Sequence, residues 1–184
     1  MSLTLPPSYF DALYERSPDP WGFETSAYED AKYAATLAAL PEARYGRALE
    51  VGCSIGVLTC RLARRCDRLV ALDPAARALA RARQRCRDLP HVDFMKGLAP
   101  ADWPEGTFDL ILLSEVIYYL GPDDVSELAA RVARSVAPGG QVELVHWVRE
   151  TDYPLSGDAA AEGFIDALGE KCRLLLQQLS LIHI

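Results

Sequence analysis

The sequence predicts an α/β protein built on a doubly wound, mainly parallel sheet, with a helical cap ahead of the first strand. Three observations lead there. Short apolar runs alternate with longer segments whose apolar residues recur every three or four positions, the pattern of strands joined by crossover helices. The run Phe108-Asp109-Leu110-Ile111-Leu112-Leu113 reads as a continuous apolar strand, which suits a central parallel position buried on both faces. The first such run, Ala48 to Val51, breaks at Gly52 into small residues and resumes at helical spacing, giving strand, glycine turn and helix in succession.

Size and charge set the outer limits. With 184 residues, 50% of them hydrophobic, the chain is long enough for one complete core and too short to expect two. The expected division is a helical cap over 1–45, a core over 46–178 and a short tail over 179–184. A net charge of −7 and a pI near 5.0 argue against a nucleic-acid partner, which needs a basic surface to neutralise phosphates, and suit a small acceptor molecule better. Cys53, Cys60, Cys66, Cys86 and Cys172 form no C-x-x-C pair and sit mostly inside apolar patterns, so they read as reduced core thiols of a cytoplasmic protein, with no metal site. Met1 to Pro7 carries no charged leader, and no stretch approaches the roughly 20 apolar residues of a membrane span. A soluble, unexported protein is expected.

Each element has its own signals. Tyr9, Phe10, Leu13 and Tyr14 lie at helical spacing between Pro7 and Arg16, and Ser17-Pro18-Asp19-Pro20 stops that helix. A second helix starts near Ser26 and runs to Leu40, where Pro41 ends it. Beyond the glycine turn, Leu58, Leu62 and Ala63 make one apolar stripe while Arg61, Arg64 and Arg65 point outward. Arg68 to Leu72 is the second strand, Ala75 to Arg87 a helix and Val92 to Met95 the third strand. After the fourth strand, Asp123 or Asp124 caps a helix reaching Ala137, and Pro138-Gly139-Gly140 turns into a fifth strand over Gln141 to Val148. Ala159 to Leu168 reads as a helix and Cys172 to Gln177 as a sixth strand. No further strand is read after it, so a final strand of the sheet is expected to be missing. Leu179-Ser180-Leu181-Ile182-His183-Ile184 reads like a translated library adapter, so the native chain is expected to be cut near Gln178.

The glycine turn carries the chemistry. Gly52 and Gly56 lack a Cβ and accept positive φ, so the turn brings backbone N–H groups and a helix start close to a ligand, and a nucleotide-like cofactor is the natural occupant. The dinucleotide fingerprint wants glycines at its first, third and sixth places, where this chain has Gly52, Ser54 and Val57. An NAD-dependent oxidoreductase is disfavoured on that spacing. Here Glu50 precedes Gly52 by two residues and Gly56 follows it by four, an E-x-G-x-x-x-G arrangement that resembles the first motif of class I S-adenosylmethionine methyltransferases. Asp73, at the end of the second strand and next to Pro74, stands where open α/β sheets bind ligands, and its carboxylate can accept both hydroxyls of a ribose. The same carboxylate also suits capping of the helix that Pro74 begins.

The resemblance extends along most of the chain. Asp19-Pro20-Trp21, Tyr28-Glu29, Lys32-Tyr33, the glycine turn, Ser114-Glu115-Val116-Ile117-Tyr118-Tyr119-Leu120 and Tyr153-Pro154-Leu155-Ser156-Gly157-Asp158 together resemble the nodulation protein S (NodS) branch of class I methyltransferases. That resemblance implies a Rossmann-like core, S-adenosylmethionine as methyl donor and N-methylation of an amino sugar or oligosaccharide. The implied donor site is Glu50, Gly52, Cys53, Ser54 and Gly56 of the turn, Asp73 and Pro74, Leu98 and Ala99 beneath the adenine, and Ser114. Trp21 and Tyr28 join them, since an aromatic face attracts a sulfonium. Two places depart from the pattern: Leu98 replaces the acid that many relatives aim at the adenine amine, and Ala161 stands where a histidine often follows the Y-P-L-S-G-D loop.

Methyl transfer is an in-line displacement that needs alignment and exclusion of water more than acid–base chemistry. An amine must still arrive neutral, and Glu115 and His146, each expected to project toward the crevice, are the candidates to take or hold its proton. Tyr118 and Tyr119, one of which can equally serve the core, together with Tyr153 and Asp158, are the candidates for holding the acceptor. Transfer to a hydroxyl and an inactive cofactor-binding scaffold remain as alternatives.

Overall fold

A computed structural model describes residues 3–178, in which five parallel strands form one sheet in the order β3-β2-β1-β4-β5. The strands are β1 (Tyr45–Val51), β2 (Cys66–Asp73), β3 (Val92–Lys96), β4 (Phe108–Ser114) and β5 (Val136–Val145); the helices are α1 (Pro7–Arg16), α2 (Ala27–Ala39), α3 (Val57–Leu62), α4 (Ala76–Arg85), α5 (Pro122–Ser135) and α6 (Gly157–Leu168). Successive side chains of a strand point to opposite faces, and here both faces are buried. Leu49, Val51, Ile111 and Leu113 pack toward Leu128, Val132 and Phe164 of α5 and α6. Ala48, Leu69, Leu110 and Leu112 pack toward Tyr33, Leu58 and Leu62 of α2 and α3. Continuous apolar runs are therefore what this sheet requires.

Helix starts follow the local sequence. The Ser26 hydroxyl accepts from the Glu29 N–H (3.3 Å) at the start of α2, and the Ser156 hydroxyl accepts from the Ala159 N–H (3.1 Å) at the start of α6. Strand order reverses between β1 and β4, so a crevice opens at their carboxyl ends, and α1 and α2 lie over that end.

Several expectations are corrected. Cys172–Gln177 forms no strand: 172–178 pairs with nothing among the described residues, and Leu174, Leu175 and Leu176 are exposed. An apolar run becomes a strand only where an edge receives it. Gly121, not Asp123 or Asp124, caps α5, because Pro122 fits the first helical position; the two acids sit in the first turn, where the helix dipole favours them. Pro138, Gly139 and Gly140 do not precede β5 but lie within it, as an irregularity between the Phe108↔Val136 and Leu110↔Gln141 pairs. β5 also ends at Val145, so His146 stands beyond the strand.

The cysteines are not all reduced thiols either. Cys60 and Cys86 form a disulfide with Cα atoms 5.8 Å apart, while Cys53, Cys66 and Cys172 are free. Helix packing explains the pairing. A Cβ on Gly56 would fall 2.9 Å from both Cα and Cβ of Ala82, and this close seating of α3 on α4 brings Cys60 beside Cys86. The tail over 179–184 lies outside the described residues. No helix among them is long and apolar enough to cross a membrane.

Candidate functional site

The glycine turn is held by the strand beside it. Gly52 and Cys53 both donate their N–H to the Leu72 carbonyl of β2, at 2.8 and 3.1 Å. Gly52 takes φ +80°, and a Cβ there would lie 2.2 Å from Val116 Cγ1, so only glycine lets the turn pass under the end of β4. Ser54 takes φ +50° without being glycine. Its N–H donates to Asp73 Oδ2 (2.9 Å), and its hydroxyl shares a hydrogen bond with Tyr14 of α1. The cap is thus tied directly to the turn.

Above the turn lies a cavity of about 380 Å³. Its wall includes Trp21, Tyr28, Glu50, Gly52, Cys53, Ser54, Asp73, Pro74, Leu98, Ala99, Ser114, Glu115, Tyr118, Tyr119 and Tyr153. The structure brings all of these sequence candidates together. Gly56, His146 and Asp158 are not on the wall. Gly56 is turned to α4, and Asp158 is exposed in the first turn of α6, where the helix dipole favours an acid. His146 projects beside Tyr118, with ring centroids 5.6 Å apart, because β5 ends before it. Its Nε2 is buried without a partner, and burial pushes its pKa down to about 4, so it is a neutral and weak base near pH 7.

Two buried acids face the donor end of the cavity. Burial pushes Glu50 up to about 7, against the Thr59 hydroxyl, and its Oε2 has no partner. Burial likewise pushes Asp73 up to about 6, although its Oδ1 accepts from the Ala75 N–H (2.8 Å) and its Oδ2 from the Ser54 N–H. Both capping and ligand binding are open to Asp73, since each carboxylate oxygen has a second lone pair.

At the other end Glu115 takes φ +59°, an uncommon conformation for a side chain of this size. Its carboxylate is fixed by three donors. Lys32 Nζ donates to Oε1 at 2.9 Å, and the Tyr118 hydroxyl (2.6 Å) and the Trp147 N–H (3.0 Å) donate to Oε2. Lys32 also reaches Glu29 Oε2 at 2.8 Å. Burial works against its charge, but Glu115 and Glu29 outweigh burial and hold its pKa above the ordinary lysine value. Glu29, Lys32, Tyr14 and Trp147 all line the cavity and were missed as site residues. A signal existed for two of them: Glu29 and Lys32 occupy the inward stripe of α2, where a helix covering a core should be apolar.

The family model of nodulation protein S (NodS) matches residues 13–139. Nodulation protein S of Sinorhizobium fredii is 35% identical over 128 residues, 67% of this chain and 58% of that protein; the Rhizobium tropici protein is also 35% identical over 128 residues, covering 67% and 53%. The chain therefore spans little more than half the length of these curated relatives. The crystal structure of the N-methyltransferase NodS from Bradyrhizobium japonicum WM9 in complex with S-adenosyl-L-homocysteine superposes with a TM-score of 0.68 at 29% identity, over 73% of this chain and 71% of that one. On a match that takes in most of the cap, the glycine turn and four of the five strands, the chain belongs to the nodulation protein S (NodS) family.

Proposed function

We propose that this chain transfers a methyl group from S-adenosylmethionine to the amine of a small acceptor, an amino sugar in the first instance. One observation carries the reading: the cavity over the glycine turn is walled by four carboxylates, Glu29, Glu50, Asp73 and Glu115, against one lysine, with aromatic rings between them. Such a wall favours a sulfonium and an amine. When bound, S-adenosylmethionine supplies an electrophilic methyl on a positively charged sulfur. The residues fit it: the unpartnered Glu50 Oε2 offers an acceptor inside the cavity, and Gly52 leaves room that any side chain would fill.

Asp73 would accept the ribose hydroxyls, Leu98 and Ala99 would carry the adenine, and Trp21 and Tyr28 would close over the donor. Glu115 keeps one lone pair on Oε1 free to accept an N–H, so it orients the acceptor amine. Three donors already fix its carboxylate, which suits it to positioning the acceptor. His146, off the wall and neutral near pH 7, is a weak base, and the reading needs none, since a neutral amine already has its lone pair. Alignment in a closed site does the rest.

The test is transfer of a labelled methyl to glucosamine, with N-acetylglucosamine as the control whose amine is blocked. Label on glucosamine alone is expected. Equal labelling of both sugars would overturn the amine assignment, and failure of S-adenosylhomocysteine to bind would overturn the donor site.

A further inference from the structure

We propose that the Glu29–Lys32–Glu115 cluster selects acceptors by charge, admitting an amine whose other groups are neutral and turning away one that also carries a phosphate or carboxylate. This rests on the amine-methylation reading above and narrows its substrate class. Among the described residues on the cavity wall, Lys32 is the one cation. Its side chain is 10% exposed and its ammonium is shared between Glu29 Oε2 (2.8 Å) and Glu115 Oε1 (2.9 Å). An anionic group could use that charge only by pulling it from two carboxylates at once.

The cluster as a whole carries two negative charges and one positive, so an anion placed beside it meets net repulsion in a partly desolvated site. The neighbouring surface does not compensate. Tyr28 stands edge-on to Trp147 with centroids 5.2 Å apart, and Tyr118 stacks on Tyr153 at 5.1 Å, so this lining offers an anion no countercharge. Arg149, over the Trp147 ring at 5.5 Å, is exposed and off the wall.

Calorimetry on the protein saturated with S-adenosylhomocysteine at pH 7.5 tests this with a matched pair, glucosamine and glucosamine 6-phosphate. Glucosamine is expected to bind at least tenfold more tightly. Glu29→Gln removes one charge yet leaves the Lys32–Glu115 pair, and should cut that ratio to threefold or less. Equal or tighter binding of the phosphate, which Arg149 would explain, overturns the proposal. So does a ratio unmoved in both Glu29→Gln and Glu115→Gln, or binding of neither sugar. Because the donor product is titrated first, its failure to bind is read separately and would overturn the donor site beneath both proposals.

Discussion

Asp73→Ala should weaken binding of S-adenosylhomocysteine more than tenfold in a calorimetric titration. On the ribose role proposed for Asp73, two charge-assisted hydrogen bonds would be lost, each worth about 1.5–3 kcal/mol. Asp73 is buried, and its carboxylate also receives the Ser54 and Ala75 N–H groups, so the variant loses stability as well. A pH series separates the two effects. The pKa of Asp73 rises from 3.8 to about 6 and that of Glu50 from 4.5 to about 7, burial being the main cause of each. Between the lower and upper values the folded chain holds protons that the unfolded chain does not, so the ligand-free protein gains stability as the pH is lowered from about 7 toward 4. Donor binding moves the other way, because it uses the ionised carboxylate: affinity should fall below pH 6 in the wild type and stay flat there in Asp73→Ala. A variant that binds as tightly as the wild type would remove the ribose role.

Gly56→Val should destabilise the fold by about 2–5 kcal/mol, read as a shift in the urea midpoint. The left-handed conformation at φ +78° costs a β-branched residue about 1–2 kcal/mol, and overpacking adds about 1–3 kcal/mol. The overpacking is specific, since the new Cβ meets the Cα of Ala82 at 2.9 Å and backbone yields less readily than a side-chain tip. Gly139→Val is the control: φ is +79° there, but nothing lies within 4 Å of an added Cβ. Equal losses at the two positions would show that conformation alone decides, and that the seating of α3 on α4 does not.

Local signals made the doubly wound parallel sheet and the glycine turn legible. The E-x-G-x-x-x-G spacing, the Asp73-Pro74 pair and the apolar run of β4 each act through neighbours close in sequence or through a rule of sheet topology. What was not legible depended on contacts made at a distance. Lys32 and Glu115 are 83 positions apart, Tyr14 and Ser54 are 40 apart, and only the folded cap joins them. Cys60 and Cys86 pair because α3 and α4 touch, which composition does not reveal. His146 was placed in the crevice on the assumption that β5 runs to Val148; the irregularity around Gly139 starts the strand earlier, and it ends at Val145. The run Leu174–Leu176 looked like a strand because apolar residues satisfy that pattern whether or not an edge is there to receive them.

A crystal structure of the protein grown with S-adenosylhomocysteine is the most direct measurement. The ribose hydroxyls should lie about 3 Å from the Asp73 carboxylate, with the adenine against Leu98 and the thioether facing Glu115 across the Gly52 turn. Density for the ligand in the groove between Arg44 and Gly140, at the opposite end of the sheet, with the cavity above Gly52 empty, would contradict it.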